Sequence, residues 1–294
     1  MEQTLETNAA RLLDGVKDII KRYEAQWQKT GEKYNIFKVA GIARQEVIMC
    51  RVLADLLNPK GAHGRSSLYL KLFWETIASK LLKVQASGRL ALDIEHTRVA
   101  TEYVIDENRR IDIVLEDGNV FVPIEVKIEA GDQPKQIADY FAFARTKNRN
   151  SHVPVLYLTV DGHEPSDFSK ADLGKDDYVP LSFRDDILTW LEACARENEN
   201  TPETTIPVRE NLRQLIAAVK SLCGKSEDTE MDKAIAGLIT QSEDTIRAAV
   251  SISGTLQEFD NESKELFKGS ILDMVKKELP QAWEYPDEGW HGIG

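Results

Sequence analysis

The feature that most constrains the fold is a pair of short apolar runs with charges at their centres. The segment over residues 110–131 is RIDIVLEDGNVFVPIEVKIEAG. The dipeptide Asp117-Gly118 between two such runs is a strong signal for a β-hairpin. We therefore predict two antiparallel strands, with Asp112 in the first strand and with Glu125 and Lys127 in the second.

The alternation of side chains in these strands predicts where the charges point. Successive side chains of a strand lie on opposite faces, so Ile111 and Ile113 are expected on one face and Asp112 on the other. By the same rule Glu125 and Lys127 share a face, because they are two residues apart. Two acids and a lysine are thus expected close together.

The length of the turn decides how closely the two acids approach. A two-residue turn would place Asp112 opposite Pro123, with Glu125 on the diagonal, and a four-residue turn over 117–120 would place Asp112 directly opposite Glu125. In both registers the cross-strand Cβ separations are about 5–8 Å. A three-residue turn would send the acids to opposite faces.

This trio of charges fits a metal-assisted hydrolytic site. Two adjacent carboxylates repel each other unless a cation lies between them. Mg²⁺ binds carboxylates, waters and substrate phosphate, and it polarises a phosphoryl oxygen. Lys127 would orient a water or offset charge on the phosphate. The same charges also fit the solvated face of an antiparallel sheet, so spacing alone leaves both interpretations open.

The helix that follows the hairpin adds polar side chains to this face. Pro134 favours a helix start, with Asp132 or Gln133 as the cap. Gln133, Gln136 and Tyr140 then lie on one stripe, because they are three and four residues apart. They are expected either to hold a phosphate or the attacking water, or to form a solvated stripe.

Glu46 is a third acid of interest. It precedes Met49, Cys50, Leu53 and Leu57 at helical spacing, so its carboxylate lies at the margin of an apolar stripe that is expected to be buried, and it needs a partner. That partner would be a metal ion or Lys127. The alternatives are an ordinary exposed glutamate or an ion-pair partner for Arg44 or Arg51.

The wider pattern indicates an α/β core with helical additions. We predict helices over residues 5–28, 40–57, 67–83, 133–147, from 184 onward and over most of 207–280, and strands over 98–105, 153–160 and 177–183. The chain ends in WEYPDEGWHGIG, which suggests a strand that continues in a longer protein or a docking tail.

Composition limits the cellular setting and the partners. The net charge of −12 argues against a general polyanion-binding surface, although it permits a local basic cleft. Lys135, Arg145, Lys147 and Arg149, together with Arg109 and Arg110, are candidates for such a cleft. The three cysteines are far apart, and neither a membrane span nor a signal-peptide core is evident, so a cytoplasmic protein is expected.

Together these residues resemble the PD-(D/E)XK nuclease superfamily. The matching pattern is Asp112, then Glu125-Val126-Lys127, then Gln136 and Tyr140. The blocks EVIMCRVLADLLNPKGAHG, VLYLTVDG and LSFRDDILTWLEAC also resemble a bacterial, largely uncharacterised branch of that superfamily, and the similarity covers about residues 40–223. The chain has Ile111 where the family's name has proline, a position at which members vary.

The resemblance implies a restriction-endonuclease-like core of a helix, an antiparallel three-stranded meander, a second helix and a further strand. It implies Mg²⁺-dependent hydrolysis of nucleic-acid phosphodiesters, with DNA favoured over RNA and Mn²⁺ as a substitute metal. The implied metal ligands are Asp112, Glu125, the main-chain carbonyl of Val126, and Glu46. Lys127 would position the nucleophilic water, and Gln136 and Tyr140 would support the site.

The domain organisation follows from this assignment. Residues 1–39 are expected to form an N-terminal helical extension, 40–223 the nuclease-like core, and 224–294 a helical C-terminal region that is either complete or truncated. That region is a candidate surface for a homodimer or a partner protein. The alternative function is a catalytically silent module of the same fold that binds nucleic acid or protein.

Overall fold

The computed structural model describes residues 2–84, 92–148, 152–199, 206–225 and 229–278. The strands are β1 Arg98–Val104, β2 Arg110–Glu116, β3 Phe121–Lys127, β4 Val155–Thr159 and β5 Tyr178–Ser182. The helices are α1 Glu2–Thr30, α2 Ile36–Val39, α3 Glu46–Leu57, α4 Leu68–Val84, α5 Gln136–Lys147, α6 Asp167–Lys170, α7 Leu188–Glu199, α8 Ile206–Leu222, α9 Thr229–Ile239 and α10 Glu243–Glu278. A 3₁₀ turn at Ile42–Arg44 precedes α3, and a π-helical turn at Phe183–Ile187 leads into α7.

The chain divides into two compact units. One unit is Lys33–Glu227 and contains the whole sheet. The other unit combines Met1–Glu32 with Asp228–Gly294, and its described part consists of α1, α9 and α10. In this second unit α1 packs against both α9 and α10. All the candidate site residues belong to the unit with the sheet.

The sheet has five strands in the order β1-β2-β3-β4-β5. The first three form an antiparallel meander, and β4 and β5 then add in parallel to β3. All five residues of β4 are buried, as expected for a parallel strand covered on both faces. This mixed α/β architecture confirms the predicted restriction-endonuclease-like core.

Helices cover both faces of the sheet and create two apolar cores. The larger core contains side chains of α3, α4, α7 and α8 with Ile113, Leu115, Ile124 and Val126 from the sheet. The smaller core lies under α5. Glu125 and Lys127 alternate with Ile124 and Val126 along β3, so their side chains face α5. The sheet face under α5 therefore carries the charged residues.

The hairpin adopts the four-residue turn over 117–120, because Glu116 pairs with Phe121. The Asp117 side chain accepts hydrogen bonds from the amides of Asn119 and Val120, both at 2.8 Å. Gly118 has a φ of 94°, a backbone conformation that favours glycine. Since Ile113 pairs with Ile124, one further step along the ladder sets Asp112 across from Glu125.

Two local predictions are wrong. Helix α5 begins at Gln136, with Lys135 as the N-cap in a left-handed conformation, rather than near residue 133 with Asp132 or Gln133 as the cap. Ile111 packs in the smaller core, whereas Ile113 packs in the larger one. The alternation breaks at Asp112, where the β1–β2 ladder omits Glu102, whose φ is 51°. A left-handed residue is not regular strand, so it interrupts the pleat.

The other predicted elements agree with the structure within a few residues, whereas the short helices α2 and α6 were not predicted. The segment after residue 40 starts as the 3₁₀ turn and becomes helical only at Glu46. In the part of the chain that the structure describes, no helix combines the length and the apolar character that crossing a bilayer requires. The aromatic ending WEYPDEGWHGIG lies outside the described residues, as does Arg149.

Candidate active site

Glu125 is the centre of the charged cluster and is only 2% exposed. Its Oε1 accepts hydrogen bonds from the Lys127 ammonium at 2.8 Å and from the Gln136 side-chain amide at 2.7 Å. Its Oε2 is buried and accepts no hydrogen bond from a nitrogen or hydroxyl donor, while the Asp112 carboxyl lies within hydrogen-bonding reach of Glu125 when the two share a proton. A buried carboxylate oxygen without such a donor is unfavourable, so this atom marks a position where a cation or a donor fits.

Asp112 lies beside Glu125 and is anchored by the backbone. Its Oδ2 accepts a hydrogen bond from the Val126 amide at 2.8 Å, across the β2–β3 pair. The distorted pleat at Glu102 lies next to it on β1. Departures from regular backbone geometry cluster at functional sites, where the surroundings maintain them. Asp112 is partly exposed and lies next to the buried carboxylate of Glu125.

Burial and mutual charge shift the pKa values of all three groups in the cluster. Burial raises the pKa of Glu125 well above its usual value, and the negative charge of Asp112 raises it further. Burial likewise raises the pKa of Asp112, although the Val126 amide opposes that change. Burial alone would lower the pKa of Lys127, but its attraction to Glu125 and Asp112 outweighs burial and raises it. One ammonium thus faces two carboxyl groups.

Gln136 and Tyr140 connect this cluster to the start of β2. The Gln136 side-chain amide also donates to the Tyr140 hydroxyl at 3.2 Å, and that hydroxyl donates to the Arg110 carbonyl. Gln136 is 5% exposed and Tyr140 1% exposed, so the solvated-stripe alternative is wrong for both. Burial and the charge of Glu125 raise the pKa of Tyr140, which keeps its hydroxyl protonated as a donor.

The Glu46 carboxylate binds main-chain amides rather than Arg44. Its Oε1 accepts hydrogen bonds from three consecutive amides, those of Ile128 at 2.7 Å, Glu129 at 3.2 Å and Ala130 at 3.0 Å. The carboxylate thereby holds the chain just past β3. Arg44 pairs instead with Glu129, at 2.7 Å. The negative charge of Glu46 also raises the pKa values of Asp112 and Lys127, because Glu46 lies near the cluster.

The described residues contain no group of three or more His, Cys, Asp or Glu side chains arranged to hold a metal ion. The donors brought together are the carboxyl groups of Asp112 and Glu125. These oxygen donors, one of which accepts no hydrogen bond from a nitrogen or hydroxyl group, nevertheless fit a hard divalent cation that completes its shell with water and phosphate.

Some neighbours of the site carried no clear sequence signal. Tyr157 pairs with Glu125 in the β3–β4 register and lies on the same face. Its hydroxyl donates to Asp132 at 2.8 Å, and the second oxygen of Asp132 accepts from the Ser166 amide at 2.8 Å. Asp132 therefore ties the chain after β3 to the chain after β4. A tyrosine within a continuous apolar run was the one available hint.

The basic residues divide into two groups. Lys135, Arg145 and Lys147 are exposed on or beside α5. Lys147 lies over the ring of Phe143, with its ammonium 5.4 Å from the ring centre. Arg109 is engaged in hydrogen bonds, as described below. The exposed group provides positive charge along the helix that covers the charged face.

A meander followed by parallel strands, with paired acids and a lysine on β2 and β3 under a Gln/Tyr helix, gives a mixed α/β core of the restriction-endonuclease type. The family model of the PD-(D/E)XK nuclease superfamily matches residues 34–216, and the chain belongs to this superfamily. No curated protein and no solved structure matches the chain.

Proposed function

We propose that the protein is a divalent-metal-dependent nuclease whose active centre is the Asp112–Glu125–Lys127 cluster. The observation that carries this proposal is the buried Oε2 of Glu125, which accepts no hydrogen bond from a nitrogen or hydroxyl donor and lies beside a second carboxyl group. Mg²⁺ suits these oxygen donors and Mn²⁺ is expected to substitute for it. The proposed direct ligands are Asp112, Glu125 and the Val126 carbonyl, with Glu46 as a further acidic ligand that would have to approach them, since the described side chains do not group it with the other two.

When bound, the metal would polarise a phosphoryl oxygen and lower the pKa of a water molecule. The protein's own groups supply the rest. The ammonium of Lys127 reaches the Glu125 carboxylate, so it can donate to the attacking water or to a phosphate oxygen at the same place. Gln136 and Tyr140 hold Glu125 in orientation through their hydrogen-bonded chain to β2.

The proposed substrate is nucleic acid, and we favour DNA over RNA on family resemblance alone. The net charge of −12 means that contact with phosphates depends on local cations. Lys135 is exposed at the start of α5 beside the site and can serve in this way, whereas Arg145 and Lys147 are exposed at the far end of α5, where Asn148 binds Phe121, and would contact a longer stretch of substrate. A cytoplasmic location belongs to the same proposal, since Cys50, Cys194 and Cys223 are free thiols.

The test is cleavage of supercoiled plasmid and of single-stranded DNA and RNA with Mg²⁺, with Mn²⁺ and with EDTA. The variants are Asp112→Asn and Lys127→Met. Matched controls are Asp176→Asn and Lys175→Met, which change the same residue types at exposed positions before β5. The amino end of β5 lies at the sheet edge opposite the carboxyl ends of β3 and β4, because these strands are parallel.

We expect metal-dependent cleavage that is lost in both site variants and retained in both controls. Cleavage that survives Asp112→Asn and Lys127→Met would refute the assignment of the centre. If the wild type does not cut, calorimetry with Mn²⁺ decides the metal site. Binding that Asp112→Asn abolishes would support the metal centre in a silent module, whereas no binding by the wild type would refute the proposal.

A further inference from the structure

Arg109 makes an unusually complete set of contacts immediately before β2. Its Nε donates to Asp139 at 2.9 Å, one terminal nitrogen donates to the Gln133 side chain at 2.8 Å, and the other donates to the Pro134 carbonyl. Its side chain is 16% exposed. The three acceptors lie on both sides of Gln136, the first residue of α5. One guanidinium therefore binds three groups around the start of this helix, and we call its contacts with Asp139, Gln133 and Pro134 the clasp.

Helix α5 needs such an external contact because it lacks an ordinary cap. Lys135 occupies the N-cap position with a φ of 55°, and it makes no side-chain capping hydrogen bond. Small polar residues at that position usually satisfy the first amides of a helix and define where it begins. Here Arg109 binds from one side, and the Lys135 amide donates to the Phe168 carbonyl at 2.8 Å from the other. An arginine suits this role, since its rigid fork can meet several acceptors at once.

The clasped turn carries the residue that orients Glu125. Gln136 donates to Glu125 Oε1 at 2.7 Å and also to Tyr140, whose hydroxyl returns to the carbonyl of Arg110. Hydrogen bonds therefore link the start of β2, through the first turn of α5, to the Glu125 carboxylate. Displacing that turn would remove a donor from Oε1 and free the carboxylate to rotate.

We propose that Arg109 is a positioning residue of the active centre. It fixes the first turn of α5, and thereby holds the Gln136 amide on Glu125 Oε1 and keeps Oε2 as the oxygen available to a ligand. This inference rests on the proposed function, because the importance of Glu125 orientation depends on a metal-dependent reaction. Partners that orient metal ligands typically affect metal affinity or activity by about 10–100-fold.

The competing role for Arg109 is a direct contact with substrate phosphate. Its three engaged donor groups and its low exposure speak against that role. The adjacent Arg110 differs in both respects, because its side chain is 63% exposed and its nearest acid, Glu102, is 3.9 Å away. Arg110 is therefore a matched control, with the same side chain one position along and outside the clasp. Its carbonyl still accepts from Tyr140 in any side-chain variant.

The experiment compares Arg109→Ala, Arg109→Lys and Arg110→Ala in the full chain. The primary measurement is the side-chain amide signal of Gln136 in ¹⁵N NMR spectra, assigned by its disappearance in Gln136→Ala. We expect that signal to shift and to exchange with solvent at least about tenfold faster in both Arg109 variants, and to stay unchanged in Arg110→Ala. Lysine keeps the charge but cannot reproduce the three-way fork.

Two further measurements separate positioning from phosphate contact. Positioning predicts that both Arg109 variants lower Mn²⁺ affinity and kcat by about tenfold or more, with KM and its salt dependence unchanged. A phosphate contact would instead raise KM, weaken its salt dependence and be largely retained in Arg109→Lys. That second pattern would overturn the inference, as would an unmoved Gln136 signal in a folded Arg109 variant.

The readouts also distinguish failure of the inference from failure of the proposed function. The Gln136 signal requires neither metal nor nucleic acid. A wild type that binds no metal would overturn the proposed function, and with it the positioning role. If Arg109→Ala does not fold, Arg109→Lys and Asp139→Asn decide the matter, because each retains part of the clasp.

Discussion

Lys127→Met tests the electrostatic account of the site most directly. The substitution keeps most of the side-chain volume at a position that is 8% exposed, and it removes the ammonium that contacts Glu125 at 2.8 Å. Glu125 is then buried beside Asp112 without that cation. We expect the variant to be less stable than the wild type when EDTA keeps the site free of metal.

The magnitude is bounded by protonation of Glu125. The usual pKa of this carboxyl is 4.5, so at about pH 8 protonating it costs at most about 5 kcal/mol, at roughly 1.4 kcal/mol per pH unit. Removing one partner of a buried ion pair typically costs about 3–5 kcal/mol. Burial and the charge of Asp112 already make ionised Glu125 unfavourable in the wild type, so the substitution adds only part of this penalty. We therefore expect the free energy of unfolding to fall by about 2–4 kcal/mol.

The stability loss in Lys127→Met should depend on pH, because it arises from the ionised form of Glu125. A carboxyl whose pKa is raised by folding binds more protons in the folded state than in the unfolded state, so the free energy of unfolding falls as pH rises. The penalty in Lys127→Met should therefore be largest at about pH 8 and shrink below about 1 kcal/mol near pH 5. Mg²⁺ should restore part of the loss, because it supplies the missing positive charge.

The assay is urea denaturation followed by circular dichroism, at several pH values, with and without Mg²⁺. Lys175→Met is the control and should change stability by less than about 0.5 kcal/mol, as exposed substitutions usually do. A loss below about 1 kcal/mol at about pH 8, or a loss that does not shrink on acidification, would refute the account of Glu125 as a buried carboxyl that depends on Lys127.

Three further outcomes follow from the same contacts. Mn²⁺ affinity should rise between about pH 5 and pH 8, because protons compete with the metal for Asp112 and Glu125, whose pKa values are raised. Calorimetry in buffers of different ionisation enthalpy should show that metal binding releases protons. An affinity that does not change with pH would contradict this prediction. Tyr140→Phe should lower the free energy of unfolding by about 1–3 kcal/mol, since the carbonyl of Arg110 loses its donor. Urea denaturation measures this loss, and a loss smaller than this range would contradict the prediction. Glu46→Ala should speed hydrogen exchange at the amides of 128–130 at least about tenfold while Glu46→Gln, which keeps an acceptor, has less effect; equal exchange in both variants would argue against the anchoring role.

The charged hairpin shows how far local pattern can be used. Alternation and Asp117-Gly118 predicted two strands with the acids on one face, but two registers remained open. The observed register depends on Asp117 itself, whose side chain binds the amides of Asn119 and Val120 and so closes a four-residue turn. That choice reflects a side-chain contact within the turn, which competes with the tighter turn that Asp-Gly also permits.

Ile111 and Lys135 show where local pattern failed. The period-two rule assumes regular strand, and the left-handed Glu102 on the neighbouring strand interrupts it, so Ile111 packs in the smaller core. The cap rule placed the start of α5 near Asp132, but that side chain bonds to Tyr157 and Ser166 instead. In both cases a neighbour from elsewhere in the chain outweighed the local preference.

The sequence by itself determined the family, the mixed α/β architecture, the hairpin and the clustering of Asp112, Glu125 and Lys127. These depend on residue types and on periods of two and 3.6 residues, which are properties of adjacent positions. Tertiary structure alone decided which groups each side chain meets. Glu46 binds amides more than eighty residues away, and Arg109 clasps a helix about thirty residues on. Such contacts arise only when separate elements pack, because burial then forces each polar atom to take the partner that lies nearest.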